Sequence, residues 1–284
     1  MVNESVVKKL NERYVNDVQH DELQNIDSNT KANSYVVSIN ETSDKIYTKL
    51  KSRLMERYNV YEPEKSVLRI KRENVKVDIS ELKQNRDLFA RKMLKKIMPS
   101  GYENMFMLVS VDLERSFSKS QGVQIEGYAF NFKRLFDNRV VRNKYNYLIV
   151  RTDKNGILKS ADVRLQDLAI TTQRLRIDAD YDENKASLDS LLNDETDLVD
   201  VLDGNGNIIK VKIDKIVVNS VADAYCEVEV GEEKRLIPCL SYASKMVLSN
   251  KESFGYIFDV PYSRKSWSDY QHENPSARFI RYSR

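Results

Sequence analysis

The chain has 284 residues, 41% hydrophobic and 31% charged, a globular composition long enough for two domains that need neither metal nor disulfide to complete a core. Its 46 basic and 43 acidic residues leave a net charge of +3, so bulk charge argues against general polyanion binding and leaves only local patches. No apolar run approaches the ~20 residues that span a bilayer, and Met1-Val2-Asn3-Glu4-Ser5 lacks the pattern of a signal peptide. Taken as the native start, Met1 places the chain in the cytoplasm; an upstream leader or anchor, since removed, would place it outside.

Residues 1–40 read as a polar arm: Val6, Val7 and Leu10 could share a helix face, but Asp21 to Ser34 has almost nothing to bury. Ser43 is a good N-cap for a helix carrying Ile46, Tyr47, Leu50, Leu54 and Tyr58 on one face. Pro63 breaks that period, and Val67–Lys71 and Val75–Val77 are extended. A second helix begins near Ser80, with Leu82, Phe89, Met93, Leu94 and Ile97 inward, and stops at Pro99-Ser100-Gly101.

The period then falls from about four to two, predicting strands over Met105–Val111, Val123–Phe136, Lys144–Thr152 and Ile157–Leu165. Asp137-Asn138 and Asp153-Lys154-Asn155-Gly156 supply the tight turns. Residues 41–177 therefore form a helix-covered antiparallel meander. An acidic linker with a short helix around Ala186, Leu188, Leu191 and Leu192 occupies 178–196. A second antiparallel sheet fills 197–284, with a turn at Asp203-Gly204-Asn205-Gly206 and strands through Ile208–Ile213, Ile216–Val230, Arg235–Met246 and Phe254–Val260. The expected fold class is α+β, with two helix-plus-antiparallel-sheet units in tandem.

None of the eight glycines sits in a phosphate-cradling or dinucleotide pattern, so no cofactor is expected. His20 and His272 are far apart in sequence, and neither cysteine has a histidine near it in the chain, so no catalytic signature is read and the chain is expected not to be an enzyme. Asp178, Asp180, Asp182 and Asp189 imitate calcium-loop spacing, but Glu183 stands where the turn glycine belongs, which favours a solvated linker. Basic residues cluster at Arg91-Lys92 and Lys95-Lys96, and again at Arg278, Arg281 and Arg284 around Phe279 and Tyr282. A solvated helix face and a tail explain them more simply than a nucleic-acid site. Tyr128, Phe130 and Phe132 fall on one strand face and Tyr145, Tyr147 and Ile149 on one face of the next, an aromatic ladder expected under the helix.

Cys226 and Cys239 flank a hairpin. A two-residue turn at Glu232-Glu233 would set them directly opposite, near bonding distance. Their disulfide is expected if the chain works outside the cytosol.

Two stretches carry a resemblance, Tyr128-Ala129-Phe130-Asn131-Phe132-Lys133-Arg134-Leu135-Phe136-Asp137-Asn138-Arg139-Val140-Val141 and Tyr147 to Ser160 with its Asp153-x-x-Gly156 turn. They resemble the cystatin-like PepSY and propeptide domains of bacteria. Arg235–Tyr242 leading to Tyr256–Val260 is a second echo, in which Cys239 and Leu240 replace the usual residues. The resemblance covers about half of the chain. It implies cystatin-like units and a non-catalytic extracytoplasmic binding or regulatory role, secreted or envelope-anchored, on a secreted protease or a membrane sensor. It transfers no functional residue. A protein partner is expected and nucleic acid is not; the competing expectation is an oligomeric ectodomain of a secretion or conjugation assembly.

Overall fold

The computed structural model describes residues 10–14, 32–40, 45–71, 74–118, 122–177, 198–202, 208–251, 253–261 and 264–279. In chain order the elements are β1 (Leu10–Tyr14), β2 (Ala32–Asn40), α1 (Lys45–Met55), β3 (Val60–Glu64), β4 (Val67–Ile70), α2 (Ser80–Gln84), α3 (Arg86–Ile97) and β5 (Phe106–Ser118). They continue as β6 (Gly122–Phe136), β7 (Arg139–Arg142), β8 (Tyr147–Asp153), β9 (Leu158–Arg164), β10 (Asp167–Ile177) and β11 (Leu198–Leu202). The last are β12 (Ile208–Val230), β13 (Glu233–Leu248), β14 (Ser253–Pro261), α4 (Arg264–Glu273) and β15 (Ala277–Phe279). The chain divides into two compact units, Met1–Tyr14 with Asn40–Asp167, and Val15–Ile39 with Leu168–Arg284.

This corrects the expected α+β tandem. The described chain is mostly β-strand, and α1, α2 and α3 all fall in the first unit. The one described helix of the second unit, α4, follows its long strands. Within that unit Ile208–Ile213 and Ile216–Val230 merge into one strand, the register shift between Ile213 and Lys215 absorbing Asp214 as an irregularity. The helix expected around Ala186, the Asp203–Gly206 turn and most of the polar arm lie outside the described residues.

In the first unit the strands run β1-β5-β6-β8-β9-β4-β3, antiparallel at each step. Alternation sends Phe130 and Phe132 of β6, Leu148 and Val150 of β8, and Ala161 and Val163 of β9 to one face. There they meet Tyr47, Leu50 and Leu54 of α1 and Phe89, Met93 and Ile97 of α3. The run expected as one helix from Ser80 is two. Asn85 interrupts it in an extended conformation and caps α3, its Oδ1 accepting from Leu88 N at 2.9 Å. Ser43, the expected N-cap of α1, lies outside the described residues; at the first turn Asp167, far along the chain, accepts from the N–H groups of Lys45 and Ile46 at 2.9 and 3.0 Å. Asp167→Ala is expected to cost about 1 kcal/mol, with faster amide exchange confined to the first turn of α1.

The turns carry the chemistry their residues demand. Asp137 and Asn138 both adopt positive φ, 49° and 57°, as a two-residue hairpin connection requires. At Asp153-x-x-Gly156 the Asp153 carboxylate accepts from Asn155 N at 2.8 Å and Ile157 N at 2.9 Å. Gly156 closes that turn at φ +82°, where a Cβ would lie 2.1 Å from the Val77 carbonyl oxygen.

In the second unit β12 and β13 form the long hairpin; β2 and β14 pair with β13, and β11 and β15 with β12. Val36, Val228, Ile237, Tyr270 and Ala277 make a small core, with Trp267 and Leu175 at its margin. Trp267 and Tyr270 stand three apart on α4 and stack at 5.9 Å, so one helix face supplies the aromatic cover.

Candidate binding face

Because β6, β8, β9 and β4 put their apolar residues under the helices, the alternate residues form the opposite face of the first unit's sheet. Register places Ile149 and Arg69 on either side of Asp162, Tyr61 beyond Arg69, and Tyr147 between Lys133 and Arg164. The Asp162 side chain keeps only 7% of its exposure. It accepts from Arg69 Nε and from Arg69 Nη2 at 2.8 Å, and from Arg151 Nη1 at 2.9 Å. These bonds hold the Arg69 guanidinium further above its usual range. Arg151 also faces Glu114 at 4.0 Å, and Lys159 reaches the same carboxylate at 3.3 Å. A buried carboxylate held by two arginines is committed to charge pairing, and it fixes two cationic side chains that are otherwise long and mobile.

Beside this clamp, the Arg164 guanidinium stacks over the Tyr145 ring at 4.1 Å and Lys71 lies 4.8 Å from the Tyr61 ring. The loop bearing Tyr145 is shaped by Asn143, whose Oδ1 accepts from Tyr145 N at 3.1 Å and Asn146 N at 3.0 Å. Arg134 reinforces it from beneath, donating to Asn146 Oδ1 at 3.2 Å and to the Gln166 carbonyl. Burial pushes the Arg134 guanidinium down to about 10, which leaves it charged at neutral pH. Burial likewise pushes the Tyr147 phenol up, so it stays neutral there.

The expected ladder is divided between the two faces. Phe130 and Phe132 are fully buried, and Tyr128 stacks on Phe130 at 6.0 Å. Tyr147 lies on the outer face beside Lys133 and Arg164, and Tyr145 joins it through Arg164 instead of pairing with β6. The parity is the cause: Tyr147 pairs with Lys133, whereas the β8 residues opposite Phe132 and Phe130 are Leu148 and Val150.

Cys226 and Cys239 form a disulfide with Cα atoms 5.9 Å apart, within the roughly 4.4–6.8 Å such bonds span. The expected register needs correction. Val230 pairs with Glu233, so the turn is Gly231-Glu232, not Glu232-Glu233, and Cys226 faces Ile237 while Cys239 faces Ala224. Gly231 adopts φ +63°, the left-handed backbone that a two-residue loop demands and a glutamate resists. The slip is by two residues, so both cysteines keep the same face and bond diagonally. Replacing both with alanine is expected to cost about 2 kcal/mol for so short a loop, read as an earlier urea midpoint of Trp267 fluorescence; an unchanged midpoint would show that the bond adds nothing.

Asp178, Asp180, Asp182 and Asp189 lie outside the described residues, as do His20, Arg281, Tyr282 and Arg284. His272 and Arg278 are exposed in the second unit. Among the described residues no group of three or more His, Cys, Asp or Glu is placed to hold a metal ion, and no helix is long and apolar enough to cross a membrane. Sequence reasoning does not bring the Asp162 clamp together, although each member interrupts a strand's apolar residues: Arg69 lies between Leu68 and Ile70, Arg151 follows Val150, and Asp162 lies between Ala161 and Val163. No family model matches the chain, and no curated protein matches it.

Proposed function

We propose that the chain is a non-catalytic binding protein of an oxidising, extracytoplasmic compartment, and that it receives a protein partner on the outer sheet face of its first unit. The Cys226–Cys239 disulfide carries the compartment reading: it is consistent with such a location, because cytosolic thiols are kept reduced. The outer face supports the rest. Arginine and tyrosine are the residues most enriched where protein partners bind tightly, and here Arg69 and Arg151 are held in place by Asp162, and Arg164 by Tyr145. Preorganised side chains lose less entropy on binding. The resemblance of Tyr128–Val141 and Tyr147–Ser160 to PepSY and propeptide domains points to a secreted protease or a membrane sensor as the partner.

The test is affinity recovery from the source organism's envelope and secreted fractions, comparing the native chain with a Tyr147→Ala, Arg164→Ala variant. A protein held by the native chain and held at least about tenfold more weakly by the variant, as loss of one or two interface anchors produces, supports the reading. Equal recovery by both removes the outer face from it. Free thiols at Cys226 and Cys239 in protein taken from its natural source remove the compartment.

A further inference from the structure

Charge is unevenly distributed in this nearly balanced chain. α1 carries four basic residues and no acidic one, and α3 carries five against Asp87 alone. Both helices turn their apolar residues to the same face of the first unit's sheet, so their outward sides look the same way. Arg86 is drawn inward, donating to the Leu108 carbonyl at 3.3 Å. Lys92 pairs with Glu81 at 2.8 Å and Lys51 with Glu62 at 2.7 Å. Lys45, Lys49, Arg91 and Lys95 are exposed and make no ion pair among the described residues. Cations complement the last turn of a helix, which accounts for Lys95 but not for Lys45, Lys49 or Arg91, placed earlier in their helices.

The same outward sides hold two large exposed apolar residues. Met55 is 57% exposed at the end of α1 and Leu88 is 49% exposed in the first turn of α3, one turn before Arg91 and Lys92. With the apolar faces of both helices spent on the core, what the outward sides offer an anionic bilayer is cations to meet its headgroups and two apolar side chains to enter the acyl boundary. A nucleic-acid strand would instead use open aromatic rings for stacking. The tyrosines bordering these helices are already engaged: Arg57 lies 5.2 Å over the Tyr58 ring, Arg53 lies 6.0 Å from the Tyr102 ring, and the Tyr58 hydroxyl donates to the Lys96 carbonyl at 2.7 Å.

We infer that the outward side of α1 and α3 is a docking surface for an anionic lipid bilayer. Binding there leaves the opposite sheet face of the unit turned away from the membrane. Peripheral attachment of this kind rests on several cations, each worth roughly a fivefold change in partition at low salt, together with shallow apolar insertion.

The experiment is co-sedimentation of the full chain with vesicles of phosphatidylcholine alone or mixed with phosphatidylglycerol. The chain is expected to sediment with the mixed vesicles only, and to be released at about 1 M salt, where the screening length falls to about 3 Å. Arg91→Glu with Lys95→Glu should lower the partition coefficient by at least about tenfold. Met55→Ser with Leu88→Ser should lower it at unchanged charge, whereas Lys265→Glu, an exposed change on α4 of the second unit, should leave it unaltered. These residues are exposed, and circular dichroism checks that each variant stays folded. No sedimentation with phosphatidylglycerol vesicles at low salt overturns the inference, as does equal binding by the Arg91, Lys95 variant. Tighter binding to a single-stranded oligonucleotide than to the vesicles overturns it in favour of a nucleic-acid surface.

Discussion

Phe130→Ala is expected to destabilise the first unit by about 3–5 kcal/mol, the range for truncating a buried aromatic where the surroundings only partly collapse. Phe130 is fully buried, its ring 5.2 Å from Phe89 of α3 and 6.0 Å from Tyr128 on its own strand. It therefore joins the helix layer to the middle of the sheet, and alanine would leave a void lined by groups that two layers hold apart. The only tryptophan, Trp267, belongs to the second unit, so its fluorescence does not report this loss directly. Calorimetry, or hydrogen exchange of β6 and β8 amides, does. A change below about 0.5 kcal/mol would mean that Phe130 is not a core residue.

Phe130 also marks what the sequence could convey. Period-two alternation identified β6, β8 and β9 within a few residues, because one apolar face and one polar face leave little freedom in a strand. The same alternation does not say which face of the next strand is inward. Alternation puts Tyr147 and Ile149 on one face of β8, and only the pairing of Tyr147 with Lys133 shows that this face is the outer one. The hairpin of the second unit taught the related lesson about glycine: Gly231 and not Glu233 occupies the turn, and the register follows the residue that can adopt positive φ.

The second unit was the harder to read. α4 is polar along most of its length, and only Trp267 and Tyr270 betray a buried side. β12 runs for 23 residues through two register shifts, so its polar residues looked like breaks between strands. The outer-face site is hidden for a different reason: Arg69, Arg151 and Asp162 come from three strands separated by up to 93 residues, and charges on alternating strands become a cluster only once register is known.

Asp162→Ala is expected to cost about 2–3 kcal/mol. Removing one member of a fully buried ion pair costs roughly 3–5 kcal/mol because the remaining charge has no water. Here the carboxylate is buried, but Arg69 and Arg151 each retain about a third of their side-chain exposure, so they recover part of their hydration and the penalty shrinks. What remains is the loss of three charge-assisted bonds across β4, β8 and β9. Asp162→Asn keeps the shape and one acceptor and should cost about half as much. A cycle combining Asp162→Ala with Arg69→Met should return a coupling of about 1–2 kcal/mol, with little dependence on salt because a buried carboxylate is poorly screened. Hydrogen exchange of β4 and β9 amides is the measurement, read beside the affinity for the recovered partner. Loss of stability with loss of affinity fits a clamp that preorganises Arg69 and Arg151 for binding. A stability change below about 0.5 kcal/mol with a coupling near zero would mean that the two arginines are placed by their strands alone, and that Asp162 does not organise the face.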